Sequence, residues 1–465
     1  MTLRERIRVE LSKTRKRQAI AGATWGGVVA KWQQWKRLEQ EGRLQDLRDR
    51  ARDAKNKALG NHAQYLSQFV QQVQERGGQV HFAGTGAEAV QQVLAIARRA
   101  GAARVVKTKS MATEEIGLTH ALEAAGLEAV ETDLGEYIVQ LAGEPPSHIV
   151  GPAIHMDRYD VAAVFERSLG APVSSNPEEL AAVARRVLRE KFLHADMGIT
   201  GANFGVAESG TVVLVTNEGN ADLTTSLPRV VVAVMGLEKL VPTWADLEPL
   251  LTLLPRTSTG QNMTVYVTAL TGPRQAAEPD GPDELHVVVL DAGRSRLLGS
   301  KYQDVLRCMR CGACVDTCPV FRQVGGHGYG TVYSGPIGVV LTPLLQGTAE
   351  ARELLDACSL CGACTETCPV QIPLHELIRS QRADREPGRA ERTLLRLWAW
   401  AWSSPKRYRF IAALLRWVTL PFRRNGRLTW APGPLAAWYA GREFPAPAPV
   451  PFHKRWADLE KEVGG

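Results

Sequence analysis

The order of apolar and polar positions divides the chain into segments of different character. Residues 1–77 are rich in charge, and their apolar positions recur with the spacing of a helix. From Gln79 onward the period changes, because short apolar runs alternate with longer amphipathic stretches. Such alternation predicts βαβ units around a mainly parallel sheet. We therefore expect an α/β domain over residues 78–292.

The elements of this α/β domain can be assigned from the same pattern. Strands are predicted at residues 80–83, 104–107, 128–131, 211–216, 230–235, 264–269 and 286–290. Helices are predicted at residues 86–100 and 114–125. In open parallel sheets, ligands bind on the loops that follow the carboxyl ends of the strands. These loops are therefore the first place to look for functional side chains.

Three such loops carry ionisable side chains. Lys107 and Lys109 lie where a strand runs into the start of a helix, a place that can hold an anion. His148 and His155 belong to the second loop. Glu208 lies in the third loop, between small residues and before an apolar strand, where an acid is costly unless it contacts something. Turn, capping or core roles are the alternative for each of them.

All eight cysteines fall into two copies of one spacing pattern. Both copies, at residues 308–319 and 358–369, read C-x2-C-x2-C-x3-C-P, the run that holds a pair of [4Fe–4S] clusters. Three thiolates of each run reach one cluster, and the fourth cysteine ligates the other cluster. The pattern assigns Cys308, Cys311, Cys314 and Cys368 to the first cluster. It assigns Cys358, Cys361, Cys364 and Cys318 to the second.

Structural zinc and disulfides are the alternatives to these clusters. Zinc needs four sulfurs per ion and accounts neither for the third cysteine of each run nor for the final Cys-Pro. Disulfides are disfavoured because no secretory signal is visible and no cysteine lies outside the two runs. Helix-like sequence at 349–357 and a flexible glycine-rich stretch at 325–330 separate the runs. We predict an α-helical ferredoxin-type domain over residues 293–385.

Composition limits the function classes further. The 465 residues, 45% hydrophobic and 23% charged, are enough for two or three globular domains. A net charge of +7 favours an anionic partner or substrate but does not require nucleic acid, and none is expected. Reduced, metal-loaded cysteines without a signal peptide indicate the cytoplasm.

The two terminal regions have more than one interpretation. In residues 1–77, tryptophans near helical spacing predict either helices packed on their own domain or an arm that grips a partner subunit. The C-terminal region, residues 386–465, follows a linker at 384–388 and contains a proline-rich tail segment at 444–452 that is expected to lie extended across a surface. Its Trp- and Arg-rich helices at 394–402 and 410–420 are shorter than the roughly 20 residues that cross a bilayer. They fit packing against the ferredoxin-type domain, a subunit interface, or peripheral contact with the inner face of the membrane.

Several stretches together resemble a known family. Residues 205–214, Gly-Val-Ala-Glu-Ser-Gly-Thr-Val-Val-Leu, and 109–116, Lys-Ser-Met-Ala-Thr-Glu-Glu-Ile, accompany the two cysteine runs. In this combination the chain resembles the lactate utilisation protein B family, and residues 325–338 resemble it as well. The resemblance implies an α/β fold like that of sugar-phosphate isomerases and CoA transferases. It carries the cluster-ligand role over to all eight cysteines.

The resemblance also implies a function. Members of this family act with a cysteine-rich iron–sulfur protein and a smaller protein that carries only the α/β domain, in oxidising L-lactate to pyruvate. The chain would then be an oxidoreductase subunit, active only with these partners, that passes electrons one at a time through two clusters. If this small 2-hydroxy acid binds here, Lys107 or Lys109 is expected to hold its carboxylate, and His148, His155 or Glu208 to accept its hydroxyl proton. The alternative is a catalytic α/β module acting on another acyl or phosphorylated substrate, with structural or redox-sensing clusters.

Overall fold

The computed structural model describes residues 1–170, 174–385, 388–430, 433, 436–439 and 442–463. The chain divides into two compact units, Met1–Ala383 and Asp384–Gly465. The first unit contains the predicted segments 1–77 and 78–292 and nearly all of 293–385. The helical N-terminal segment, the α/β domain and the cysteine motifs are thus parts of one compact body.

The strands of the first unit are β1 Gln79–Ala83, β2 Arg104–Lys107, β3 Glu128–Glu131, β4 Met197–Thr200, β5 Phe204–Val206, β6 Thr211–Thr216, β7 Val230–Gly236, β8 Leu240–Val241, β9 Tyr266–Leu270 and β10 Glu284–Leu290. Strands β2, β3 and β6 begin and end at the residues predicted from the sequence. β4, β5 and β8 were not predicted.

The helices of the first unit are α1 Leu3–Ser12, α2 Thr14–Gln40, α3 Leu44–Gly60, α4 His62–Glu75, α5 Gly86–Arg99, α6 Met111–Glu115, α7 Leu118–Ala124, α8 Leu134–Ala142, α9 Arg158–Leu169, α10 Pro177–Leu193, α11 Asn220–Ser226, α12 Trp244–Ser258, α13 Ala313–Asp316, α14 Phe321–Tyr329, α15 Gly335–Gln346, α16 Ala349–Glu353, α17 Ala363–Glu366 and α18 Leu374–Ala383. Short 3-10 helices cover Leu237–Lys239, Ser295–Leu297, Gln303–Arg307 and Leu354–Asp356.

A six-stranded parallel sheet with the order β1-β10-β7-β4-β2-β3 forms the centre of the α/β domain. Val105 in β2 lies opposite Ala129 on one side and Met197 on the other. Nearly every residue of β7 and β10 is buried, as is usual for parallel strands covered on both faces. The predicted parallel-sheet α/β fold is therefore confirmed.

A second, four-stranded sheet has the order β8-β5-β6-β9. Its β5–β6 and β6–β9 pairs are antiparallel, whereas β5 and β8 are parallel. The sequence predicts β6 and β9 but not this separate sheet, because β5 and β8 contain only three and two residues. The helix predicted at 114–125 is likewise two helices, α6 and α7, separated at Gly117, where φ is 63°.

The N-terminal helices pack on this chain. Ile20, Leu38 and Leu47 are buried in the same apolar core as residues of the second sheet and of the cysteine region. Trp35 in α2 donates from Nε1 to Thr257 Oγ1 at 3.1 Å. These contacts join the helical segment to both the α/β domain and the ferredoxin-type region.

Helix α14 covers most of the glycine-rich stretch that the sequence analysis took as flexible. The helix is kinked at Gly325, where φ is 63°. The Gly326 N–H donates to Ser147 Oγ at 3.3 Å, and a Cβ added to Gly326 would lie 1.9 Å from the Ser147 carbonyl oxygen. The glycines thus allow two backbones to approach closely, and the prediction of a flexible segment was wrong.

The second unit is mainly helical. Its described elements are α19 Arg389–Trp402, α20 Pro405–Thr419, β11 Arg423–Arg424, β12 Arg427–Leu428, α21 Ala436–Tyr439, β13 Phe444–Pro445 and α22 Phe452–Val463. The three strands form an antiparallel sheet. Residues 386 and 387 of the predicted linker lie outside the described residues. Among the residues the structure describes, no helix is both long and apolar enough to cross a membrane.

Candidate functional site

The structure gathers the eight cysteines into two groups. One group lines a common small cavity and consists of Cys308, Cys311, Cys314 and Cys368. In the other group, Cys364 lies so close to Cys358, Cys318 and Cys361 that, besides burial, these three residues raise the pKa of its thiol. Each group takes three cysteines from one run and the fourth from the other, the arrangement that two cross-ligated clusters require.

The two cysteine loops share one backbone conformation. Arg310 and Leu360, at equivalent positions, both have positive φ angles, 62° and 56°. The N–H of Arg310 donates to Cys308 Sγ at 3.4 Å, and the N–H of Leu360 donates to Cys358 Sγ at 3.3 Å. Backbone donors of this kind stabilise negative charge on the sulfurs of a cluster.

The spacing of the sulfurs distinguishes a site for an iron–sulfur cluster from a site for a single metal ion. A tetrahedral zinc site, with Zn–S bonds near 2.3 Å, brings its sulfurs to about 3.8 Å from one another. In the described part of the chain, no group of three or more potential ligands with atoms within 4.8 Å of one another contains a cysteine. Burial raises the pKa of Cys364 to about 12 and that of Cys368 to about 11, so these thiols ionise only when they bind a cation. The residues fit an iron–sulfur cofactor.

A cavity of about 470 Å³ lies at the carboxyl ends of the parallel strands. The loops after β2, β3, β4, β7 and β10 all contribute to its lining. This is the edge of the sheet where α/β domains bind ligands, and the volume is within the usual range of small-molecule sites. The α/β domain therefore has a candidate binding site.

This cavity shares a wall with the first cysteine group. Met309 and Arg310, which lie between Cys308 and Cys311, line the large cavity together with Ile149. The same three residues also line the small cavity of the cysteine group. Ile149 and Met309 are buried apolar side chains, so they exclude water from the space between the two sites.

A network of buried charged side chains adjoins this wall. Arg294 donates to both carboxylate oxygens of Glu115, at 2.9 and 2.6 Å, and its Nε lies 2.8 Å from Glu238 Oε2. Arg310 donates from Nη2 to Glu238 Oε1 at 3.2 Å. Burial alone would raise the pKa of Glu238, but Arg294 and Arg310 lower it to about 2. Glu238 is therefore ionised and holds both arginines in place.

Two lysines adjoin this network. Lys55 donates from Nζ to the backbone carbonyls of Glu238 and Leu240. Lys239 lines the large cavity with 9% of its surface exposed, and among the described residues it has no hydrogen bond or ion pair. Burial, followed by the nearby charge of Arg310, lowers the pKa of Lys239 to about 8. Lys239 is thus a buried cation without a partner in the wall of the cavity.

Of the five side chains predicted to be catalytic, the structure places Lys109 at the cavity. Its Nζ donates to the Val150 carbonyl at 2.6 Å and lies 3.4 Å from Asp133 Oδ2. Lys107 does not line the cavity. It is fully buried, and its Nζ lies 2.9 Å from Glu131 Oε2, so carboxylates of its own domain satisfy its charge.

His148 is buried and does not line the cavity. Its Nδ1 accepts hydrogen bonds from the N–H groups of Val150 and Gly151, at 3.2 and 3.0 Å. The proton of this ring is therefore on Nε2, which lies 3.3 Å from Asp316 Oδ1 in the helix between two cluster cysteines. His148 connects a loop of the α/β domain to the cysteine region.

His155 also lies away from the cavity. Its Nε2 is 2.9 Å from Glu144 Oε2, and its ring centre is 4.6 Å from that of His327. Burial, and then the charge of His327, lowers the pKa of His155 to about 4. The imidazole is therefore neutral at physiological pH.

Glu208 is exposed, contrary to the reasoning that singled it out. Its Oε1 accepts a hydrogen bond from the Trp244 N–H at 2.6 Å, at the first turn of α12. The cost of burying an acid therefore does not apply, because this carboxylate caps a helix at the surface. Glu208 does not line the cavity, so of the five only Lys109 reaches it.

Apart from Lys109, the sequence analysis did not identify the cations of the cavity wall. Lys239 and Arg294 each follow a predicted strand by a few residues, as Lys107 does, so the same rule could have found them. Arg310 occupies a spacer position inside a cysteine motif. Nothing in the spacing distinguishes it from Leu360 at the equivalent position of the other motif.

The fold and site define an iron–sulfur protein in which an α/β domain shares a wall with a ferredoxin-type cysteine region. Three families match successive parts of the chain: the LUD domain family at residues 66–290, the 4Fe-4S dicluster domain family at 304–372, and the C-terminal family of lactate utilisation protein B at 374–461. The chain belongs to the lactate utilisation protein B family.

Individual relatives agree with these matches over nearly the full length. Lactate utilization protein B of Geobacillus kaustophilus is 47% identical, over 99% of this chain and 97% of its own. The protein of the same name from Geobacillus thermodenitrificans is 48% identical, over 98% of this chain and 97% of its own. A crystal structure of a DUF162 family protein from Deinococcus radiodurans covers 50% of this chain and 98% of its own, at 17% identity and a TM-score of 0.28. That similarity is too weak to support an inference.

Proposed function

We propose that this chain is the iron–sulfur electron-transfer subunit of a complex that oxidises L-lactate to pyruvate, and that it holds two [4Fe–4S] clusters. The names of the relatives and the two groups of cysteines support this function. The main observation is that Met309 and Arg310, between two cysteines of one motif, line the cavity of the α/β domain. A ligand in that cavity therefore lies against the loop that holds a cluster.

Residues of this chain would set the environment of the clusters and of the cavity. When bound, each cluster supplies a one-electron carrier. The N–H groups of Arg310 and Leu360 point at cysteine sulfurs and make the local potential more positive. Ile149 and Met309 keep the wall between the sites apolar and free of water. A wall that excludes water favours electron transfer from a ligand in the cavity to the cluster, and it keeps solvent from reacting there.

The proposed complex includes two companion subunits. They are a cysteine-rich iron–sulfur protein and a smaller protein that carries only the α/β domain. The second unit offers a surface for them, since Trp398, Trp400 and Trp417 are 59%, 56% and 76% exposed. Tryptophan and arginine are enriched where proteins bind one another. A cytoplasmic location, with or without contact to the inner face of the membrane, is part of the same proposal.

Anaerobic EPR spectroscopy tests this function. The purified chain is measured alone and with its companions, before and after addition of L-lactate, and dithionite serves as the control reductant. We expect dithionite to produce signals of two reduced [4Fe–4S] clusters in the lone chain, and lactate to produce them only in the complex.

One result would refute the proposed function. If dithionite reduces the clusters but L-lactate never does so in the full complex, the chain does not lie on a lactate-derived electron path. The α/β domain would then have to be assayed for turnover of acyl or phosphorylated substrates.

A further inference from the structure

The wall between the two cavities holds more positive charge than its acids can neutralise. Two carboxylates, Glu115 and Glu238, lie near three cations. Arg294 and Arg310 form ion pairs with them, whereas Lys239 is near Glu238 but forms no ion pair among the described residues. A buried charge without a counter-charge is costly, and proteins keep one mainly where a ligand supplies the opposite charge. The excess positive charge therefore points to an anion.

The three cations are not equivalent. Arg294 forms ion pairs with both Glu115 and Glu238. Arg310 uses Nη2 for Glu238, whereas its buried Nη1 has no hydrogen-bond partner in the described part of the chain. Lys239, as described above, has no partner there at all. Arg310 and Lys239 both line the large cavity, and the nearby Cys308 offsets part of the charge of Arg310. The cation that forms no ion pair in the described part of the chain is therefore Lys239.

The surroundings hold Arg310 in a fixed orientation. Its guanidinium carbon lies 4.6 Å from the centre of the Tyr333 ring, and Glu238 binds one side of the guanidinium. Tyr333 in turn donates from its hydroxyl to Glu115. A cation that is already oriented loses little entropy when an anion binds, which favours tight and specific recognition.

We propose that Lys239 binds the carboxylate of a small 2-hydroxy or 2-oxo acid in this cavity, with Arg310 as the second positive group, and that these two residues couple the bound anion electrostatically to the first cysteine group. The proposal rests on the function proposed above and names its ligand site. Glu218 lines the same cavity and can meet the hydroxyl group of such an acid by a hydrogen bond.

The coupling follows from the position of Arg310. Its side chain lines both cavities, and its N–H donates to Cys308 Sγ. An anion bound at Lys239 adds negative charge near the first cysteine group, and this makes reduction of the cluster held there less favourable. By linkage, reduction of that cluster must weaken anion binding by the same factor. None of the described residues of the second run, 358–369, lines the large cavity, so the potential of the cluster in the group of Cys358 should stay unchanged.

Binding is measured first, on the full chain with both clusters loaded, by anaerobic calorimetry with pyruvate and L-lactate. Lys239→Met should weaken binding at least tenfold, because it removes a charge that has no partner among the described residues and leaves no carboxylate there unpaired. Arg310→Lys keeps the charge and should weaken binding less. Lys36→Met, at an exposed lysine of α2, is the matched control and should bind as the unaltered chain does.

Other anions separate the carboxylate site from a general anion site. Acetate lacks the 2-substituent, and inorganic phosphate presents a different geometry, so both should bind more weakly than pyruvate. Phosphate binding tighter than pyruvate would overturn the assignment. So would an unchanged affinity in Lys239→Met, or no binding of either acid to the unaltered chain, with both clusters present by iron analysis.

An EPR-monitored redox titration tests the coupling. Oxamate, an analogue of pyruvate that cannot be reduced to a 2-hydroxy acid, should shift one of the two cluster potentials to a more negative value, and Lys239→Met should abolish the shift. Equal shifts of both clusters, or none with oxamate bound, would refute the coupling.

The lactate assay in the complex then keeps the two proposals apart. If L-lactate reduces the clusters equally fast in unaltered and Lys239→Met complexes, the site proposal fails while the proposed function stands. If pyruvate binding depends on Lys239 but lactate never reduces the clusters, the site stands while the proposed function fails.

Discussion

Arg310 donates from Nη2 to Glu238 Oε1 at 3.2 Å, and this bond joins the loop between two cluster cysteines to the segment that follows strand β7. Glu238 is also paired with Arg294, beyond the end of β10. One buried carboxylate therefore connects the segments that follow two neighbouring interior strands, β7 and β10, with the cysteine region. The α/β domain and the first cysteine group cannot move apart without breaking these ion pairs.

Removing the charge of Glu238 should destabilise the first unit. Glu238→Gln leaves Arg294 and Arg310 buried with too little negative charge, which costs about 3–5 kcal/mol for a broken buried pair. Anaerobic urea unfolding, followed by circular dichroism and by loss of iron–sulfur absorbance, measures this cost. Glu248→Gln is the control, because Glu248 pairs with Arg50 at the surface and should cost less than about 1 kcal/mol. Equal costs for both variants would contradict the importance of the buried network.

Gly326→Ala should disturb the junction between α14 and the loop of Ser147. The added Cβ would lie 1.9 Å from the Ser147 carbonyl oxygen, so one backbone must shift. We expect a lower thermal midpoint and fewer than the full number of iron atoms per chain. Gly22→Ala, at an open position in α2, is the control and should stabilise the helix by roughly 0.5–1 kcal/mol. Full iron content and an unchanged midpoint in Gly326→Ala would show that the close approach has no structural importance.

The cross-ligation of the two groups can be tested with single serine variants. Cys368→Ser should remove the same EPR signal as Cys311→Ser, because both side chains line one cavity although they come from different runs. Cys318→Ser should instead remove the signal that Cys361→Ser removes. Iron analysis and EPR of the dithionite-reduced variants provide the readout. Loss of the same signal in Cys368→Ser and Cys361→Ser would show that each run binds its own cluster.

The segment around His155 should loosen in mild acid. The native pKa of His155 is about 4, below its ordinary value of 6.5, because burial and then the charge of His327 disfavour the imidazolium. Below pH 6.5 the unfolded segment binds a proton that the native one does not, so stability is complete above pH 6.5 and falls as the pH approaches 4. One pH unit in this window corresponds to about 1.4 kcal/mol at most.

Hydrogen–deuterium exchange of peptides covering residues 144–156, at pH 7.0 and 5.5 and corrected for intrinsic rates, measures this loosening. His155→Gln should reduce the pH dependence, because the side chain no longer titrates. A pH dependence of the same size in His155→Gln would assign the effect to other groups, with His327 and Glu144 as the nearest.

Strands of the parallel sheet that are long and rich in β-branched residues were predictable. Strand β7 reads Val-Val-Val-Ala-Val-Met-Gly, and its bounds differ from the prediction by one residue. Strands β4, β5 and β8 were not predictable, because they have only four, three and two residues, and β5 and β8 pair with each other across a long stretch of sequence. Tertiary pairing decides such short strands, and local pattern carries little information about them.

The candidate site likewise has residues that the sequence predicts and residues that only the structure reveals. The eight cysteines are recognisable because cluster geometry dictates their spacing within each run. Lys239 and Arg310 are recognisable only in three dimensions, since their significance depends on which charges lack a partner. Lys107 illustrates the converse case: it follows a strand as a ligand-binding lysine would, but Glu131 already neutralises it.

Arg310 and Leu360 occupy equivalent positions in the two cysteine runs, but the surroundings of these positions differ. Both residues have the same left-handed backbone, yet Arg310 lines the large cavity and Leu360 does not. At the next cysteine of each motif, Cys311 is buried whereas Cys361 is exposed. If both groups hold clusters as proposed, the first cluster lies beside the cavity and the second lies nearer the protein surface. Electrons from a ligand in the cavity would then reach the first cluster before the second, so the proposed transfer would have one direction.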